Sequence, residues 1–179
     1  VLKKRASEIS KETPKLKQTI ANMYESMYAA HGVGLAAPQV GLSIRLFLVD
    51  TSPFAEDEGC SLEVQKQLKS FKRTFINAKI IEESGEKWSF NEGCLSIPNV
   101  REEVLRKSEI RIEYQDENFK KHIETFDGLI ARVIQHEYDH IEGVLFTDKV
   151  SSLKKRLLKG KLTNISKGKT SVDYRMRFP

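Results

Sequence analysis

Apolar positions in TPKLKQTIANMYESMYAAHG, residues 13–32, recur every three or four residues: Leu16, Ile20, Met23, Tyr24, Met27 and Tyr28. That period puts them on one face of a helix, which reads as a core face. Thr13 is the expected N-cap, Pro14 suits the first helical position and Gly32 ends the helix. GVGLAAPQVG at 32–41 breaks the period with small residues, glycine and proline, and reads as a loop. IRLFLVD at 44–50 is a short continuous apolar run, the signature of a buried strand. Strand character returns in FINAKIIEE (75–83), KWSF (87–90), SEIRIEYQD (108–116) and FKKHIETF (119–126), with a hairpin turn at 116–118. Asp127 is expected to cap a second long helix that ends near Gly143. SSLKKRLLKG at 151–160 predicts a short basic helix, and no period is evident in the last residues.

Separate helices among antiparallel strands predict an α+β fold. The expected architecture is antiparallel strands packed around a central helix over 127–143. Residues 51–73 are polar and charged and read as a surface insertion with one short helix at 61–70. The expected organisation is a single catalytic domain over 1–150, with 151–179 a basic C-terminal tail of the same domain.

Composition narrows the class. The chain has 179 residues, enough for one domain with a core of its own. No apolar run approaches the ~18 residues of a membrane span, and VLKKRASEIS at the start has no signal-peptide apolar region. Two cysteines, Cys60 and Cys94, are too few for a disulfide scaffold. A cytoplasmic protein is the expectation. Net charge is +5, unevenly placed. Residues 149–179 hold ten Lys/Arg and one acid, a net +9, whereas residues 1–148 hold 20 against 24, a net −4. A basic tail on an acidic body suits a polyanionic surface; a tail that only aids solubility is the plainer alternative.

The chemistry sits in QHEYDH, 135–140. His136 and His140 are four apart, so a helix stacks them on one face, able to grip one ion with Glu137 beside it as general base. Leu129, Val133 and Ile141 share that inward face. Two histidines need a third ligand. One class of metallopeptidases continues the motif to a third histidine, but Phe146 stands there; another takes a downstream glutamate, and none follows Glu142. Asp148 has no motif around it. Upstream candidates are His31 at a helix end, His122 between strand lysines, Cys60 in the insertion, and Cys94. Cys94 follows Gly93 and precedes Leu-Ser-Ile-Pro at the end of a strand-like run, where the glycine permits close backbone approach. A buried cysteine is most often plain packing, but the missing downstream ligand favours a thiolate. On these residues alone the reaction class is metal-assisted hydrolysis.

Together GVGLAAPQ (32–39, with Gly32 just ahead of the motif's core), EGCLSIP (92–98) and QHEYDH (135–140) resemble the three motifs of the peptide deformylase family, in the family's order. The likeness covers most of residues 1–150. It implies Cys94, His136 and His140 as metal ligands, Glu137 as acid/base, and Gln39 with the Leu95 backbone N–H as oxyanion donors. It places Val33, Leu129 and Val133 around the substrate's methionine side chain, and Gly34 and Glu92 near its backbone. It implies one divalent ion, natively Fe2+, with Zn2+, Ni2+ or Co2+ able to substitute. The implied substrate is the formylmethionyl end of a nascent peptide, and the implied product is formate. Docking of the basic tail, Lys154, Lys155, Arg156, Lys159 and Lys161, on the ribosome is a further expectation, with no membrane and no sequence-specific nucleic acid as partners. The competing reading is an H-E-x-x-H metallopeptidase that cleaves internal peptide bonds.

Overall fold

Five strands make one antiparallel sheet whose spatial order is their order along the chain. In the computed structural model, which describes residues 1–56 and 59–178, the elements run α1 (Leu16–Ala29), β1 (Gly34–Ala36), β2 (Leu46–Asp50), α2 (Leu62–Ser70), β3 (Lys72–Cys94), β4 (Ile97–Gln115), β5 (Lys121–Asp127), α3 (Gly128–Ile141) and α4 (Ser152–Ser166). Single 3₁₀ turns lie at Ala37–Val40, Ser52–Glu56 and Phe146–Asp148. The fold is α+β, with α3 packed on the sheet.

All five residues of β2 are buried because both faces of the sheet are covered. Phe47 and Val49 face α3, in a cluster with Phe75, Ile110, Ile112, Ile134 and Ile141. Leu46 and Leu48 face the other way, against Leu16, Ile20, Met23 and Met27 of α1. The helical face expected over 13–32 is therefore the one α1 buries. A third cluster joins Leu158, Leu162 and Ile165 of α4 to Ile97, Val100 and Val104 of β4 and to Phe146.

Several expectations need correction. Thr13 is not the cap of α1. Its hydroxyl accepts the Ser10 N–H at 3.1 Å, and Lys15, with φ 56°, stands at the N-cap. The helix ends before Gly32. His31 takes the left-handed position (φ 53°), its N–H bonds Tyr28 O at 3.0 Å, and the Gly32 N–H bonds Met27 O at 2.9 Å. This paired closure gives His31 its role at the helix end. Asp127 occupies the N-cap of α3 without a side-chain capping bond. The segments 75–83 and 87–90 are one strand, β3, bent by register shifts that include one between Ser84 and Lys87, with Gly85 at φ +74°. Its partner β4 includes 97–107, which the apolar pattern did not mark. There the inward positions are Val100, Val104 and Arg106, and a buried arginine hides the alternation. Ser61 caps α2, accepting from Val64 N at 3.4 Å, and Ser151 caps α4, accepting from Lys154 N at 3.3 Å. The insertion at 51–73 ends inside β3, and its residues 57 and 58 lie outside the described residues.

Phe75 is the centre of the sheet–α3 interface, fully buried, with its ring 4.7 Å from Phe47 and 4.4 Å from Tyr114. Phe75→Ala is expected to lower unfolding free energy by about 3–5 kcal/mol, measured as a shift in urea midpoint at unchanged slope.

Candidate metal centre and cleft

Helix α3 carries an unusual set of buried polar residues: Arg132, Gln135, Glu137, Asp139 and His140. Arg132, Gln135, Asp139 and His140 find partners on the β3–β4 hairpin. The hairpin closes through a two-residue turn, Leu95 and Ser96, with Cys94 paired to Ile97. That turn brings the Cys94 thiol to 3.2 Å from His140 Nε2. One ligand atom each from Cys94, His136 and His140 lie within 4.8 Å of one another. Ligands at ~2.0–2.3 Å from a tetrahedral ion stand roughly 3.5 Å apart, so these three suit one ion.

The electrostatics point the same way. Burial opposes a charged Cys94, but the imidazoles of His140 and His136 outweigh it and hold the thiol well below its usual range. A thiolate is the form that binds metal. His136 Nδ1 lies 3.0 Å from Glu92 Oε2. A carboxylate there accepts the Nδ1–H hydrogen bond and so keeps the proton on Nδ1 and the lone pair on Nε2, the usual arrangement around a metal-ligating histidine. Glu92 is itself pinned, with Arg106 Nε at 2.7 Å, Arg106 Nη2 at 2.9 Å and Arg132 Nη1 at 3.0 Å. Burial would raise its carboxyl; Arg106 and His136 hold it well below the carboxylate range. Arg106 also reaches Asp139 at 2.6 Å.

Glu137, next to His136, has few partners. Burial pushes its carboxyl up to about 7, and Oε2 has no hydrogen-bond partner among the described residues. Opposite it lies β1. A Cβ on Gly34 would stand 2.5 Å from Glu137 Oε1, so only glycine fits there unless the carboxylate moves. The 3₁₀ turn after β1 supplies Gln39. Its amide oxygen accepts the Ala36 N–H at 2.7 Å, which turns the NH2 toward the centre, 3.2 Å from Ser96 Oγ and 3.6 Å from Cys94 Sγ.

These groups open into a cavity of about 650 Å³. Val33, Gly34, Gln39, Glu92, Cys94, Leu95, Val133, His136 and Glu137, all expected at the site, line it, and His140 is buried behind them. Leu129 does not line it. It sits in the first turn of α3, beyond the stretch that faces the cleft. The other ligand candidates do not join this group of three. His31 closes α1 at the cavity rim, and His122 pairs with Asp116 at 2.8 Å and stacks on Tyr114, half-buried rather than facing solvent. Phe146 packs its ring 6.0 Å from that of His136 instead of supplying a ligand.

The sequence reading missed Phe54, Phe90, Arg132 and residues 171–174, all of which line the cavity. Arg132 was findable: it precedes His136 by four and shares its helix face. Phe54 was hidden in the insertion, which thereby acquires a role at the cleft.

A helix bearing two imidazoles and a carboxylate, with a thiolate brought in by a hairpin turn, defines a mononuclear metal-hydrolase centre. The chain belongs to the polypeptide deformylase family, whose pattern matches residues 1–156. It is 67% identical to a peptide deformylase of Flavobacterium johnsoniae, over 99% of this chain and 91% of that one. It is 63% identical to that of Christiangramia forsetii, over 100% and 91%. Among solved structures it resembles peptide deformylases of Plasmodium falciparum (TM-score 0.79, 32% identity, covering 97% of this chain and 95% of that one) and Legionella pneumophila (0.76, 33%, 94% and 90%). The reading as a peptidase of internal bonds is not favoured by these likenesses.

The Gly34–Glu137 contact yields a direct test. Gly34→Ala displaces the carboxylate by about an ångström, and a shift of that size at a reacting group is expected to lower turnover by roughly tenfold to a hundredfold. Bound metal, measured by elemental analysis, should stay at the parent level.

Proposed function

We propose that Cys94, His136 and His140 hold the divalent ion of this enzyme and that Glu137, Gln39 and the Leu95 N–H perform the chemistry on the formyl group. The activity is removal of the N-formyl group from the formylmethionyl end of newly made polypeptides, with release of formate. The observation that carries the residue assignment is the convergence of Cys94, His136 and His140 beside Glu137, with the Gln39 amide turned inward.

The ion, when bound, supplies Lewis acidity for the formyl oxygen and acidifies water in the cleft. Glu137 accepts a proton from the attacking water. A carboxyl near 7 is matched to that task and to giving the proton back. As water adds to the formyl carbon, negative charge gathers on the formyl oxygen. Gln39 Nε2 and the Leu95 N–H are the donors that meet it, and one such donor is worth about 3 kcal/mol in the transition state. The C–N bond then breaks, Glu137 passes its proton to the departing amine, and formate and a free amino terminus result. The cleft excludes bulk by the same device that seats Glu137: Gly34 and the buried Ala36 keep β1 close to α3. A carbonyl bearing only hydrogen passes where an acetyl group meets the wall. Val33 and Val133 receive the methionine side chain, and Glu92 and Gly34 flank the peptide backbone.

The native ion in this reading is ferrous iron, Fe2+. A thiolate with two imidazoles also suits Zn2+, Ni2+ or Co2+. Iron beside a thiolate exposes Cys94 to oxidation. Residues 1–150 act as one catalytic domain and 151–179 as a tail of it, in the cytoplasm. Among the described residues no helix is long and apolar enough to cross a membrane. The tail docks on the ribosome through its basic helix. Lys154 and Lys161 already bind the body, at Glu102 and at the Asn99 carbonyl, so Lys155, Arg156 and Lys159 carry the contact.

Three outcomes are expected. Glu137→Gln should retain metal but lower formate release from a formyl-methionyl tripeptide by at least a hundredfold. In the same assay, anaerobically iron-loaded protein should exceed zinc-loaded protein and lose activity in air. Near-parent turnover in Glu137→Gln would refute its role. Co-sedimentation with ribosomes should fall steeply between about 50 and 200 mM salt and be lost when Lys155, Arg156 and Lys159 are replaced by Glu. Salt-insensitive binding would refute the basic docking face.

A further inference from the structure

Beyond α4 the described residues form neither helix nor strand, yet their burial alternates. Val172, Tyr174, Met176 and Phe178 are half-buried, and Ser171, Asp173, Arg175 and Arg177 are exposed. Gly168, at φ +74°, follows the end of α4, and the Phe178 ring packs on it, 3.2 Å from where a Cβ would stand. The segment runs back along the mouth of the cleft, where residues 171–174 form part of its wall. Two bonds fix it there: Asn99 Nδ2 donates to the Ser171 carbonyl at 3.3 Å, and the Tyr174 hydroxyl donates to the Leu95 carbonyl at 2.8 Å.

The second bond lands on a critical turn. Leu95 and Ser96 connect Cys94 to Ile97 and lie outside the β3–β4 ladder. A turn carbonyl in a half-buried place needs a partner, and Tyr174 supplies it. Gln39 grips the same turn from inside, through Ser96 Oγ at 3.2 Å. The turn is thus held by one side chain from the β1 loop and one from the C-terminal segment.

We propose that Tyr174 is a positioning residue for deformylation, holding the Leu95–Ser96 turn so that the Leu95 N–H points at the developing oxyanion. The inference rests on the reading of that N–H as an oxyanion donor. The hydroxyl bond fixes the Leu95–Ser96 peptide plane, which adjoins at the Leu95 Cα the Cys94–Leu95 plane carrying the N–H. Without it the turn gains rotational freedom at Leu95, the N–H plane turns with it, and a hydrogen bond weakens steeply as its angle opens. The loss falls on the transition state, where charge on the formyl oxygen is greatest, and not on substrate binding.

Tyr174→Phe keeps the ring as cleft wall and removes only the donor; Tyr174→Ala removes both. Steady-state kinetics of the metal-loaded full chain on a formyl-methionyl tripeptide separate the two roles. Tyr174→Phe is expected to lower kcat about fivefold, with KM within twofold and an unchanged urea midpoint; Tyr174→Ala should lose at least as much kcat. Parent kcat in Tyr174→Phe overturns the proposal, as does a loss confined to KM, which makes Tyr174 a binding wall only. Gln39→Ala belongs in the same series. If it keeps full kcat, the oxyanion reading fails and this inference with it. If it falls about a hundredfold while Tyr174→Phe is unchanged, only the role of Tyr174 is overturned.

Discussion

The Glu92 carboxylate accepts from Arg106 and Arg132 at one oxygen and from Arg106 and His136 at the other. It is buried, and so are both guanidinium groups. The four residues come from three elements: Glu92 from β3, Arg106 from β4, Arg132 and His136 from α3. One saturated carboxylate therefore fixes the hairpin to the helix. Removing one member of such a buried set strands an uncompensated charge, at a cost of about 3–5 kcal/mol. The arrangement also sets the chemistry. It fixes which His136 nitrogen is free for a ligand bond and holds β3 so that the turn beyond it delivers Cys94.

The ligand geometry follows from that constraint. Two histidines one helical turn apart stand on one face and leave the opposite side of an ion open. A third ligand from farther along the same helix would crowd that side. The hairpin turn instead approaches across the helix and brings Leu95 with it, so the thiolate and the proposed oxyanion donor arrive together. Arg132, stacked 4.3 Å over the Trp88 ring and bonded to the Trp88 carbonyl at 2.8 Å, braces the same hairpin farther out.

Much of this was legible in the sequence where period and motif coincided. α1 and α3 follow from apolar spacing, because each buries a regular face, and β2 follows from its continuous apolar run, buried on both sides. The grouping of Cys94, His136 and His140 was legible in motif spacing and in the lack of a downstream third ligand. What was hidden was hidden by polar burial. Arg106 and Glu92 occupy inward strand positions that a hydrophobicity pattern scores as outward, so β4 was read too short. Leu129 satisfied the helical period but lies a turn before the cleft begins. The tail looked aperiodic because Val172, Tyr174, Met176 and Phe178 alternate with charged or polar residues over a stretch that pairs with no strand. A period-2 pattern was present there; only the contact with the turn gives it meaning.

Glu137 shows why the surroundings had to be so constrained. Its neighbours in the cleft are held by hydrogen bonds: Glu92 by two arginines, Gln39 by the Ala36 N–H. Glu137 is held by contact alone, its Oε1 against Gly34 and its Oε2 buried with no partner among the described residues. A carboxylate bonded to several donors would sit low in pKa and be a poor base near neutrality. Burial without such donors raises it to about 7, the condition under which one group can take a proton and return it. Position must then come from shape. The glycine of β1 and the backbone of α3 supply that shape, so a small residue of GVGLAAPQ sets where the Glu137 carboxylate stands.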